Sequence, residues 1–213
     1  MNPRPRILLA DDHTLLLEAF KGLLSPHCEV VSVVSDGRAL LEVAPKLKPD
    51  VVVLDISMPR LNGIDACRLL QPKLPDTKWV FLTVNEDPDL TLEAMRLGAS
   101  AFLLKSSAAS ELFTAIQKAL KDERYITPLI TKAMSMDEFL SQPNRLHSGK
   151  MTDRQREVLQ LLAEGRTMKE AADILHVTER TVEFHKYAVM KQLDVKTTAE
   201  LVQYAVKHGI VKP

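Results

Sequence analysis

The chain is 213 residues long, 46% apolar and 26% charged, with 28 basic and 28 acidic side chains, so it can build two modest domains with separate cores. Residues 1–122 hold 14 basic and 16 acidic groups and residues 148–213 hold 11 and 9, which excludes attachment to nucleic acid by bulk charge alone. No apolar run nears the ~18 residues that cross a bilayer, the opening "MNPRPRILLADD" turns acidic where a secretion signal stays apolar, and Cys28 and Cys67 are too few for a disulfide framework or a metal site. A cytoplasmic protein with reduced, buried thiols and no membrane partner is expected.

Through the first 122 residues short apolar runs alternate with amphipathic segments. Strands are predicted over residues 6–10, 29–34, 51–55, 79–83 and 101–104, and helices over 15–24, 38–48, 64–74, 89–97 and 108–121. Strands without polar alternation are buried on both faces. The expected fold class is therefore α/β, a five-stranded parallel sheet of flavodoxin-like order covered by helices, followed by a smaller all-α domain. From Asp122 the pattern weakens. Pro128, Pro143 and "QPNRLHSGK" read as a linker over 123–149, in which "ITKAMSMDEFL" has room for a short helix.

From residue 150 to the end the reading is helical. Thr152 with Gln155, and Thr167 with Glu170, have the spacing of capping boxes, and Gly165 stands where a left-handed cap is expected. Helices are predicted over 153–164 and 168–175, a third from the cap Thr178 to about 193, and a fourth over 198–208. A short helix, a tight "HV" connection and a longer helix make the helix-turn-helix pattern.

The ends of the predicted strands carry the chemistry. The first gives Asp11 and Asp12, the third Asp55, the fourth Thr83, and the fifth leads into Lys105. With the first and third strands adjacent, about 4.8 Å apart, the carboxylates crowd and raise one another's pKa. A hard divalent cation with oxygen ligands relieves this; Mg²⁺, which keeps its waters and takes few carboxylates, fits best. A carboxylate beside a metal, a hydroxyl and an ammonium is placed as a nucleophile toward phosphorus. "MP" at 58–59 and "NG" at 62–63 would turn the chain sharply after Ser57. Asp36 and Asp50 read instead as ordinary cap or turn residues.

These residues, in "ILLADDH", "VVVLDISMPRLNG", "VFLTV" and "GASAFLLKSS", resemble the receiver domain of two-component response regulators over the first 120 residues. The resemblance implies that Asp55 is the phosphoacceptor and that Asp12, Asp55 and the Ser57 carbonyl hold Mg²⁺ while Asp11 assists through water. It further implies that Thr83 reports the phosphoryl group, Lys105 binds it, Phe102 occupies an aromatic switch position, and a sensor histidine kinase is the phosphodonor. Phe102 reads equally well as a plain core aromatic. Ser106 replaces the proline that follows the lysine in many receivers.

On the third helix of the C-terminal part, a 100° step places Val182, Val189 and Leu193 on one side and Arg180, Phe184, Tyr187 and Lys191 on the other. Two aromatics among cations on an outward face suit a major groove. From about Lys150 the chain resembles the LuxR-type helix-turn-helix of the NarL/FixJ subfamily. That resemblance implies base-edge contacts from Glu183, Phe184 and Tyr187. Phosphate contacts would come from Lys169, Thr178, Arg180, Thr181, Lys186 and Lys191. The fourth helix, with Leu201, Val202, Tyr204 and Ala205 along an apolar stripe, would pack in its own bundle and contribute to a homodimer on promoter DNA. Gln192 stands in place of a usual lysine and Asp194 in place of a usual glycine.

The function expected is a transcription regulator in which Asp55 phosphorylation controls dimerisation and DNA binding, either by uncovering the recognition helix or by favouring dimers. Two rivals stand beside it. A constitutive DNA binder would keep the same pocket idle. An aspartyl-nucleophile phosphatase would carry a second acid two residues after its nucleophile, where this chain has Ser57.

Overall fold

The computed structural model describes residues 4–131, 135–141 and 151–211. Five strand–helix units come first: β1 (Arg6–Ala10), α1 (Thr14–Leu24), β2 (Glu29–Val34), α2 (Gly37–Leu47), β3 (Val51–Asp55), α3 (Gly63–Leu70), β4 (Lys78–Thr83), α4 (Pro88–Arg96), β5 (Ala101–Leu104) and α5 (Ala108–Ala119). A 3₁₀ turn, Gln71–Lys73, follows α3. The helix predicted over 64–74 is shortened there because Pro72 has no N–H to continue the ladder. Then come β6 (Tyr125–Ile126), α6 (Pro128–Thr131), α7 (Met136–Ser141), α8 (Asp153–Ala163), α9 (Met168–Leu175), α10 (Glu179–Leu193) and α11 (Thr198–Lys207).

The sheet has six strands, not the five expected, in the order β2-β1-β3-β4-β5-β6, and every pair is parallel. β6 was hidden in the expected linker because two residues are too few to show a period. The Tyr125 and Thr127 N–H groups donate to the carbonyls of Ser100 and Phe102 and add this edge. The "QPNRLHSGK" segment, 142–150, lies outside the described residues.

Neighbouring residues of a strand face opposite sides of the sheet, so each strand feeds two cores. Leu8, Val52, Leu54, Trp79, Phe81 and Phe102 pack with α2, α3 and α4. Ile7, Val51, Val53, Val80, Leu82 and Leu103 pack with α1 and α5. Burial on both faces explains the unbroken apolar runs. The C-terminal helices share two smaller cores, one among α8, α9 and α10 and one among α8, α10 and α11. Both expected capping boxes form on α8 and α9, a third forms at Thr197 with Glu200, and the Thr178 hydroxyl accepts from Thr181 N–H. α10 ends on Asp194 at φ 54°, a left-handed cap in which a glycine would be less strained.

Candidate functional site

Sheet register assembles the first cluster. Ala10 pairs with Leu54, so Asp11 and Asp55 emerge side by side at the carboxyl ends of β1 and β3. Thr83 pairs with Leu104, so Lys105 follows directly beside Thr83. The Lys105 ammonium lies 2.7 Å from Asp11 Oδ2 and 2.9 Å from Asp55 Oδ2. Asp11 and Asp55 are each only 1% exposed. Burial pushes the Asp55 carboxyl above its ordinary range; Lys105 pulls it down, Asp11 pushes it up again, and a hydrogen bond from Ser57 N–H pulls it down.

Gly63 lets the chain turn back beneath this site. Its N–H donates to Ile56 O at 2.8 Å, and a Cβ there would stand 2.2 Å from Asp55 O. No residue but glycine fits that approach. Thr83 is fully buried, and its hydroxyl oxygen accepts the Asn85 N–H at 3.0 Å, pinning the start of the β4–α4 loop. Phe102 is fully buried and stacked on Phe81, with ring centroids 6.4 Å apart.

Asp11, Asp12, Asp55 and His13 each offer an atom to a group in which all lie within 4.8 Å of one another. The donor set, three carboxylates and one imidazole around a single point, fits a divalent cation. Ser57 and Asp12 line one cleft of about 320 Å³, so the Ser57 backbone is in reach of the same region. His13 went unnoticed in the sequence, although it directly follows the two acids.

Of the residues expected at the DNA face, Phe184 is 69% and Tyr187 58% exposed, and Lys169, Thr178, Arg180, Glu183 and Lys191 are exposed with them. Thr181 and Lys186 are half-buried, and Thr178 and Thr181 are tied to each other as the cap of α10. Val182 and Val189 are wholly buried, as the helical wheel required. The receiver does not cover this helix. Phe184 and Tyr187 are thus not buried against the receiver.

The two domains meet instead through α8, at residues to which the sequence analysis gave no role. Gln160 is 1% exposed and reaches into the β3–α3 loop. Its amide oxygen accepts from Asn62 N–H at 2.7 Å and Asn62 Nδ2 at 3.1 Å, and its Nε2 donates to Met58 O at 3.0 Å. Arg60 N–H donates to Glu164 at 2.9 Å. Ion pairs flank these bonds: Arg38 with Glu157 at 3.0 Å, Arg156 with Asp65 at 3.3 Å. Burial raises the Asp65 carboxyl above its ordinary range, opposed chiefly by Arg156. Farther along, Gly209, just past α11, sits against Leu90 of α4 and Asn85, where a Cβ would be 3.8 and 4.0 Å away. Among the described residues no helix is long and apolar enough to cross a membrane.

Residues 7–117 match the family described as response regulator receiver domain, and residues 150–205 match the bacterial regulatory proteins of the luxR family. The transcriptional regulatory protein MctR of Rhizobium johnstonii is 34% identical over 211 residues, 98% of this chain and 96% of that protein. The oxygen regulatory protein NreC of Staphylococcus aureus is 33% identical over 97% of this chain and 99% of its own. Among solved structures, the Salmonella typhimurium RcsB response regulator superposes with a TM-score of 0.64 at 25% identity, covering 97% of this chain and 98% of that one. A structure of two RcsB dimers bound to two parallel DNAs gives a TM-score of 0.59 at 25% identity over 96% and 98%. With a pocket of strand-end carboxylates around one lysine, an open helix-turn-helix face and matches to both families, this chain belongs to the response regulators of the NarL/FixJ type, DNA-binding transcription regulators that join a receiver to a LuxR-type domain.

Proposed function

We propose that Asp55 is the phosphoacceptor and that its phosphorylation releases the DNA-binding domain from the receiver. The observation that carries this reading is the Lys105 ammonium shared between Asp11 and Asp55. A buried acid pair held by one cation is a charge arrangement waiting for another partner. The phosphodonor is a phosphohistidine of a sensor kinase: an Asp55 oxygen attacks phosphorus, the P–N bond breaks, and an acyl phosphate forms on Asp55. Lys105 turns from the carboxylates to a phosphoryl oxygen, and Thr83 donates its hydroxyl hydrogen to another. Asp12, Asp55 and the Ser57 carbonyl would hold Mg²⁺, with Asp11 supporting it through water; the bound ion offsets charge on the transferring group.

Two links connect this chemistry to the helical domain. Ser57 begins the loop that Gln160 grips at Met58 and Asn62. Thr83 anchors Asn85, and Gly209 lies near Asn85, whose amide would be 4.0 Å from a Cβ placed there. Ser57, whose carbonyl would help hold the ion, and Thr83, which would turn to the phosphoryl group, stand at the starts of both loops, so phosphorylation would strain both seams at once and shift the population to an undocked state. Because Phe184 and Tyr187 are already open, docking acts on the placement of α11 and so on pairing of two subunits, rather than on access to α10. Two chains then read half-sites about one helical turn apart. Glu183, Phe184 and Tyr187 face the bases, and Lys169, Thr178, Arg180, Thr181, Lys186 and Lys191 hold phosphates. Phe102, packed on Phe81, serves here as the buried wall behind Thr83.

DNA binding and oligomeric mass, measured with and without beryllofluoride plus Mg²⁺, test this reading. Tight binding as a dimer only with the phosphoryl mimic is expected. Equal binding in both states would favour the constitutive regulator.

A further inference from the structure

We propose that Glu164 is the residue through which the C-terminal domain senses the phosphoryl group: docked against the acceptor cleft, its carboxylate opposes any charge added to Asp55. This deepens the function proposed above and rests on it. The cleft of about 320 Å³ that holds Asp12 and Ser57 is lined from the C-terminal domain by Glu164 and Arg166. Glu164 is held there through its Oε1, which accepts the Arg60 N–H at 2.9 Å and the Gln160 side-chain amide at 2.7 Å. Its Oε2 is sealed from solvent and meets no hydrogen-bond donor among the described residues. A carboxylate oxygen in that position has neither water nor a donor to offset its charge.

An acid is also an unfavourable choice for this place in the helix. Glu164 closes α8, an 11-residue helix whose last turn carries no basic residue. The carboxyl end of a helix bears partial negative charge and favours cations, so helix and side chain present the same sign to the cleft. Arg166 shares the cleft but is exposed, and water and salt screen its charge more than that of the half-buried Glu164. Phosphorylation turns the singly charged Asp55 carboxylate into a doubly charged acyl phosphate, adding one unit of like charge. Across a cleft of this volume, roughly 8 Å if round, that unit shifts the docking equilibrium by about three- to tenfold. Docking and phosphorylation oppose each other through this one carboxylate.

The test uses the full chain at fixed Mg²⁺, with beryllofluoride affinity read by calorimetry and docking read by energy transfer between dyes on the two domains. Glu164→Gln keeps an acceptor oxygen for Arg60 and Gln160 and removes only the charge. Its transfer before beryllofluoride should equal the parent's, its affinity for beryllofluoride should rise by about three- to tenfold, and the transfer lost at saturation should be smaller. Glu164→Ala, which loses the two bonds as well, should start from lower transfer, the signature of a merely structural role. Raising the salt from about 50 to about 500 mM should narrow the gap in affinity between the parent and Glu164→Gln. Equal affinity and equal undocking in the two proteins overturn the proposal, as does a gap indifferent to salt. If beryllofluoride leaves transfer unchanged even in the parent, the docking reading beneath the proposal falls with it.

Discussion

Replacing Gln160 with alanine removes the polar wedge between the domains and leaves the receiver pocket untouched. Three hydrogen bonds across the seam are lost, two from Asn62 and one to Met58. Each such bond has a net worth of about 0.5–1.5 kcal/mol, so the docked state loses roughly 1.5–4.5 kcal/mol. At about 1.4 kcal/mol per factor of ten, the balance moves toward undocking by roughly ten- to a thousand-fold. Energy transfer between dyes on the two domains measures the docked fraction, and a DNA titration without phosphodonor measures its consequence. The variant should show lower transfer and tighter DNA binding than the parent, with beryllofluoride adding less than it adds to the parent. Gln160→Glu, which keeps an acceptor for Asn62 but cannot donate to Met58, should fall between the two. A folded Gln160→Ala protein with unchanged transfer and unchanged DNA affinity would refute the coupling.

Asp55→Asn should abolish phosphoryl incorporation from a small phosphodonor with Mg²⁺, read by intact mass; undiminished labelling moves the acceptor elsewhere. Lys186→Ala should weaken binding to all DNA sequences and lower the salt slope by about one, whereas Tyr187→Ala should change sequence preference, and equal effects on a panel of sites would deny this division. Gly63→Ala should cost more than about 2 kcal/mol in denaturant unfolding, since its Cβ would press on backbone at Asp55 O that cannot yield. The raised Asp55 carboxyl gives a pH test with a definite sign. Its folded-state pKa lies above the unfolded one, so as an anion it destabilises the metal-free fold at neutral pH. Asp55→Asn should therefore raise the melting temperature without metal, with a gain that shrinks as pH falls through the raised pKa; a gain that grows on acidification would contradict the assignment.

The cluster of Asp11, Asp55, Thr83 and Lys105 was legible because a parallel sheet leaves its strand ends no choice. Once β1 and β3 pair, Asp11 and Asp55 must meet, and Lys105 must arrive from β5 beside Thr83. The outward face of α10 was legible for a similar reason, since a period of 3.6 with Val182 inside sends Phe184 and Tyr187 out. The domain seam was not. Arg156, Glu157 and Gln160 are buried, yet in sequence they are the polar positions that an amphipathic helix gives to water. Only the opposing surface, with Asn62, Asp65 and Arg38, distinguishes a docked polar stripe from a solvated one. His13 was missed because a histidine at a helix start carries no periodic signal; its meaning comes from Asp11 and Asp12 folding back toward its ring.

The polar character of that seam is itself a functional argument. An interface of leucines would bury apolar area at about 25 cal/mol per Å² and hold the domains together in every state. Here the hydrogen bonds and ion pairs across the seam join groups that hydrate well when parted, and on the proposed mechanism this keeps the gap between docked and undocked small enough for one phosphoryl group to reverse. The partners also lie where the chemistry acts. Gln160 holds the loop that begins at Ser57, and Gly209 lies near Asn85 of the loop that begins at Thr83. A contact far from the pocket would need a chain of intermediates to sense phosphorylation; these two need only the first few residues after β3 and β4 to move. Removing either contact alone should therefore loosen docking in part, and removing both should make DNA binding independent of phosphorylation.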